Sequence, residues 1–170
     1  VGAVFALMYL LSPSWQTPDM DAKSAICMEL GFVYCILATI TGSIFAYAEW
    51  NSFWNWDPRE TSIVIMLLLY AAYLVLRGAL AEHPQRRAKL AAVFAIVALI
   101  PGLFLIWVVP RLDNGTLHPK TVLTDASSTS LSYKIVLSIS FLAFTLLFVW
   151  LFQLRLRAYR ILARKQMRTS

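Results

Sequence analysis

The chain has 170 residues, 59% of them hydrophobic, and a formal net charge of +6; its mean hydropathy is +0.67. No water-soluble domain of this length hides so much apolar surface, so the composition excludes a soluble enzyme or binding module and defines a polytopic membrane protein. The positive balance does not point to nucleic acid, because Lys and Arg gather at the ends of apolar runs and in the C-terminal tail, where they orient a chain in a bilayer.

Only a helix satisfies its own backbone in lipid without closing into a barrel, and the apolar runs lack the alternation of barrel strands. The expected fold class is therefore all-α, a polytopic helical transmembrane bundle forming one membrane domain over residues 1–170. Val1–Leu11 is too short to span and reads as the end of a truncated N-terminal span. Ser24–Ala48, Thr61–Leu80, Leu90–Val109 and Leu131–Phe152 follow, four full spans of about 20 residues each, which at about 1.5 Å per residue cover a hydrocarbon core of roughly 30 Å. Pro101-Gly102 inside the fourth run should kink it. Cys27 and Cys35 lie eight positions apart in one apolar run, a spacing that is neither a redox pair nor a metal cluster; both read as small buried hydrophobes.

The fifteen Lys and Arg residues sort by parity of the spans. Eleven (Lys23, Arg77, Arg86, Arg87, Lys89, Arg155, Arg157, Arg160, Arg164, Lys165, Arg168) fall on one side, and four (Arg59, Arg111, Lys120, Lys134) on the other. Positive charge stays in the cytoplasm. The expected arrangement is therefore an outward aromatic loop at 49–60, a second outward loop at 110–130 containing His118, and a basic cytoplasmic tail at 153–170.

The aromatic loop carries most of the information. It reads Trp50-Asn-Ser-Phe-Trp-Asn-Trp-Asp-Pro-Arg-Glu-Thr61, four large rings beside a charged tetrad. Interface belts are rich in Trp, and that accounts for a lone ring such as Trp15 or Trp107. Four aromatics within seven residues, with Asp57 and Arg59 beside them, exceed what anchoring needs. They suit a large planar ligand with apolar faces and an anionic rim. Within the tetrad, Asp57 before Pro58 reads as an N-cap with proline at the first helical position, and Glu60 suits the helix dipole. The tetrad is thus half helix start and half binding edge.

Trp50, Trp54, Trp56, Asp57 and Arg59 resemble the Trp-rich signature of the cytochrome c assembly family of haem-handling membrane proteins, roughly Trp-Gly-x-x-Trp-x-Trp-Asp-x-Arg/Lys-x-Thr. The match holds at every position but one, where Asn51 stands in place of glycine. Gly115-Thr-Leu-His-Pro119 is similar to the outward histidine segment of the family's CcmC branch. Asp57-Pro-Arg-Glu-Thr61 is closer to the wording of its CcmF and CcsA branches. The resemblance implies a haem-handling subunit of cytochrome c maturation in a bacterial or organellar inner membrane, holding haem at the outer face and delivering it to a periplasmic haem chaperone. The haem would be b-type and non-covalent. His118 would be one axial ligand, the second lying upstream of Val1, and the cofactor-binding set would be His118, Trp50, Phe53, Trp54, Trp56, Asp57 and Arg59. Arg59 is the first candidate for the propionates, with Arg111 and Lys120 behind it. Expected partners are a CcmE-like chaperone, ABC-type subunits of the CcmA and CcmB kind, a small CcmD-like subunit and membrane lipid. The role is one of holding and transfer rather than catalysis.

Two alternatives stand beside this expectation: a CcsA- or CcmF-like haem lyase forming thioethers, and a non-haem permease or structural subunit whose Trp loop only anchors it. His83, in Glu-His-Pro-Gln-Arg-Arg, reads as a solvated loop residue. Glu29 reads either as a functional intramembrane carboxylate or as one snorkelling to the interface.

Overall fold

The computed structural model describes residues 1–109 and 130–169, and every described element is helical. Helix α1 spans Gly2–Leu11, α2 Pro18–Trp50, α3 Pro58–Ala79, α4 Pro84–Val97 and α5 Leu99–Leu103. A π-helical turn follows at Phe104–Val108, and the last helix, α6, spans Leu131–Thr169. Four stretches are long and apolar enough to cross a membrane, namely Pro18–Trp50, Pro58–Ala79, Pro84–Val108 and Leu131–Met167, with Gly2–Leu11 a shorter apolar helix. The chain is a helical membrane protein.

Two helices extend beyond the apolar runs. The stretch 12–23 reads from sequence as a loop, yet α2 begins at Pro18 because Thr17 caps it by accepting a hydrogen bond from the Met20 amide at 3.3 Å. Pro18 fits the first turn, and Asp19 and Asp21 suit its positive end. Helix α6 continues from Phe152 through the basic stretch to Thr169. Arg and Lys are strong helix formers, and its first cations meet acids on α2, as described next.

The helix pairs α2–α3, α2–α6 and α3–α4 are antiparallel, as their side-chain contacts show. Across α2 and α3, Asp21 meets Arg77 and Cys35 meets Ile63. Across α2 and α6, Arg160 binds Asp19, Arg155 binds Glu29, and the Tyr34 hydroxyl donates to the Phe144 carbonyl at 3.2 Å. Tyr73 packs on Phe94 across α3 and α4. Consequently the loop joining α2 to α3, the residue Val109 and the residue Ser130 all stand at one end of the bundle, here called the Trp-loop end.

The core lies toward the opposite end. Ala6 and Tyr9 of α1, Tyr73 of α3, and Ala88, Ala91, Ala92 and Ala95 of α4 form one buried cluster. Small side chains let the helix backbones approach closely where lipid supplies no hydrophobic drive. A second cluster joins Ile26 and Leu30 of α2 to Leu156 of α6. Glu29 is an ion-pair partner of Arg155; Cys27 is buried against Gly2 of α1, whereas Cys35 is only half-buried.

Pro101 leaves its mark one turn earlier than its own position. It has no amide to offer Val97, and its ring crowds that carbonyl; the α-helix is interrupted at Ala98 and resumes at Leu99. The π-helical turn that follows packs against α3.

Candidate functional site

The loop at 51–57 is built from two helix ends. Helix α2 terminates at Trp50, and Asn51 supplies a left-handed C-cap at φ 54°, its amide donating to the Tyr47 carbonyl at 2.9 Å. Glycine is the usual residue there, and asparagine is the side chain that best tolerates the same conformation. Asn51 therefore makes a left-handed turn without the glycine of the signature. Helix α3 then starts on a capping box: Asp57 caps the first-turn amides, accepting from Arg59 N at 2.9 Å, while Glu60 accepts from Asp57 N at 3.3 Å. Asp57 is 6% exposed. Its carboxylate is committed to the α3 N-terminus, the structural half of the two roles that the sequence allows.

Between these caps two of the four rings stand in the open, while Trp50 and Trp54 are half-buried. Phe53 is 57% exposed and Trp56 70% exposed. Tyr47, on the last turn of α2, stacks on Phe53 with centroids 4.3 Å apart and planes 11° apart. Phe45 meets Trp50 edge-on at 6.0 Å, and Trp54 meets Trp56 edge-on at 5.8 Å with an interplanar angle of 86°. The site therefore includes Tyr47 and Phe45, which the motif alone does not show. Their signal is positional: both lie within one to two turns of Trp50, and the Asn51 turn folds Phe53 back onto that stretch.

Trp56 has φ 56°. A bulky side chain in the left-handed region costs on the order of 1–3 kcal/mol and persists only where neighbours enforce it. The enforcing bonds are all local. Asn55 N donates to Glu60 Oε2 at 2.7 Å, Thr61 Oγ1 donates to the Trp56 carbonyl at 3.4 Å, and Ser52 Oγ donates to the Trp54 carbonyl at 3.0 Å. The loop is strained, pinned and solvent-facing, features that an inert connector does not need.

The shelf fits a porphyrin-like ligand on direct physical grounds. It offers a group of large rings, of which Trp56 is the most exposed, and an anionic rim would find a cation in Arg59 on the first turn of α3. Among the described residues no group of three or more His, Cys, Asp or Glu stands together to hold a bare metal ion. His118, Arg111 and Lys120 lie outside the described residues. The residues that bracket them, Val109 and Ser130, stand at the same end as the shelf. An apolar cavity of about 300 Å³ lies elsewhere, in the bundle interior, where Gly31, Met66, Tyr70, Gly102 and Ile106 are among its walls; no shelf residue lines it.

The class these features define is a helical membrane protein that presents a capped, Trp-rich loop at one end. The family model for heme exporter protein C, CcmC, matches residues 2–170, and the chain belongs to that family. It is similar to heme exporter protein C of Bradyrhizobium diazoefficiens, with 33% identity covering 89% of this chain and 57% of the relative. Heme exporter protein C of Paracoccus denitrificans is 33% identical over 91% of this chain and 65% of that protein. The chain thus spans roughly three-fifths of the length of these relatives. A shorter match, 40% identical over 50% of this chain and 27% of the relative, is to cytochrome c biogenesis protein CcsA of Prochlorococcus marinus.

Proposed function

We propose that this chain is the haem-holding part of a heme exporter protein C in cytochrome c maturation. It displays b-type, non-covalently held haem at the periplasmic face of an inner membrane and delivers it to a periplasmic haem chaperone of the CcmE kind. The observation that carries this reading is the exposed, strained aromatic shelf at the end where the chain on both sides of the His118 stretch is anchored. In this reading Trp50, Phe53, Trp54 and Trp56 cover a porphyrin face, Arg59 takes a propionate, and His118 supplies an imidazole to the iron. Asp57 serves the site by fixing the loop to α3. ABC-type subunits of the CcmA and CcmB kind, a small CcmD-like subunit and lipid complete the assembly. The iron chemistry belongs to the haem, and the protein supplies orientation and cover. A cytoplasmic C-terminus is supported by the positive-inside rule, applied to eleven of the fifteen Lys and Arg residues.

The test is the absorption spectrum of the full-length protein purified with haem. His118→Ala is expected to shift and weaken the Soret band; a band indifferent to that change removes the ligand assignment. Extraction of all the haem into acidified organic solvent checks that it is not covalently held.

A lyase of the CcsA or CcmF kind is a second reading, favoured by the Asp-Pro-x-Glu wording and by the CcsA match. The capping box explains that wording as a helix start, so it does not itself call for thioether chemistry. Incubating haem-loaded protein with a Cys-x-x-Cys-His apocytochrome and, separately, with the chaperone distinguishes the two, because only a lyase leaves haem bound to the apocytochrome after extraction.

A further inference from the structure

We propose that Glu60 is a positioning residue that fixes the orientation of the Trp56 ring on the shelf; the importance of that ring rests on the haem-holding reading above. A capping box needs one bond from the residue at the third helical position back to the cap, and Glu60 makes it with Asp57 N at 3.3 Å. The same oxygen, Oε2, also accepts from Asn55 N at 2.7 Å. That second bond does nothing for the helix start. It joins the amides on the two sides of Trp56, the residue at φ 56°, and ties both to the first turn of α3.

A single carboxylate oxygen thus closes a small ring of backbone around the strained residue. With Asn55 and Asp57 held, the Trp56 peptide has no freedom to relax to negative φ, and Thr61, one position after Glu60, secures the Trp56 carbonyl from the same turn. The ring is therefore held outward, 70% exposed and edge-on to Trp54, by a side chain that need not touch a ligand. Charge alone does not provide this. A shorter carboxylate at the same position keeps the favourable helix-dipole term but falls one C–C bond short of the Asn55 amide.

The experiment uses the full-length protein in detergent, first without haem. Two indoles 5.8 Å apart at 86° couple their electronic transitions and give a paired circular-dichroism signal whose amplitude Trp54→Phe defines. Glu60→Ala and Glu60→Asp are expected to abolish that signal, while Glu60→Gln, which keeps an oxygen at the same reach, retains it. Thr17→Ala, which removes the cap of α2 at the other end, is the control for simple loss of a helix cap and should leave the signal intact. Haem retention is then measured on the same variants and is expected to fall roughly tenfold in Glu60→Ala and Glu60→Asp, and less than about threefold in Glu60→Gln. A paired signal unchanged in Glu60→Asp overturns the proposal whatever haem does. Loss of the signal with full haem retention upholds the positioning role and instead overturns the shelf as the haem surface. Should Glu60→Ala fail to fold, Glu60→Asp against Glu60→Gln decides alone.

Discussion

At the end where α2 begins, acids and bases are paired. Asp19 binds Lys23 and Arg160, Asp21 binds Arg77 through both oxygens at 2.6 and 2.9 Å, and Glu29 binds Arg155. Tyr73 is fully buried among alanines. At the end where α2 stops, Phe53 and Trp56 stand in the open, Trp56 on a left-handed backbone. Both ends use helix caps and charged side chains, yet one spends them on joining helices and the other on exposing a surface. That contrast separates the part of the chain that joins its helices from the part proposed to meet haem.

The sharpest way to break the contrast is Arg77→Ala. Arg77 and Asp21 are only 15% and 12% exposed at their side chains, so removing one leaves a buried charge without its counter-ion, a loss of about 3 kcal/mol. Thermal unfolding in detergent should show a large drop, and haem binding by the protein that remains folded should be unaltered. The converse test is the double change Trp54→Ala with Trp56→Ala, expected to lower haem retention at least tenfold, roughly 1.4 kcal/mol, with no comparable loss of melting temperature. Equal losses in both measurements would show that the two ends are not separate in role.

A finer probe is Trp56→Gly. Glycine enters the left-handed region without a Cβ clash, which offsets the lost edge contact with Trp54. Stability is expected to stay within about 0.5 kcal/mol of the parent while haem retention falls. A clear destabilisation would mean that the ring packs rather than presents. Glu29→Gln should do least. Its partner Arg155 is 59% exposed, and such pairs contribute below about 1 kcal/mol, so a melt within a degree or two of the parent is the expected result.

Much of this arrangement is legible in the residues. The four spans follow from apolar length, and Asp57-Pro58 announces the start of α3. The Trp cluster marks its own surface. What is not legible depends on contacts between distant positions. The basic stretch after Phe152 carries no apolar signal, and it continues α6 where Arg155 and Arg160 find acids on α2 more than a hundred residues earlier. Thr17-Pro18 starts α2 inside what hydropathy reads as a loop, because a cap outweighs polarity there. Tyr47 belongs to the shelf only once the Asn51 turn brings Phe53 over it. Glu60 looks like an ordinary first-turn acid until Asn55 folds back to meet the same oxygen. The Trp motif shows where to look, but not which neighbours hold it in shape.

The turn at Ala98 has a consequence for packing. Pro101 withholds the one amide that would reach the Val97 carbonyl, while Ala98 itself stays in the right-handed helical region. The half before the turn is seated among the alanines and Tyr73, and the half after it rests on α3 and leads into residues 110–129. The two halves therefore take their places from different packing, the inner one from α1 and the outer one from α3.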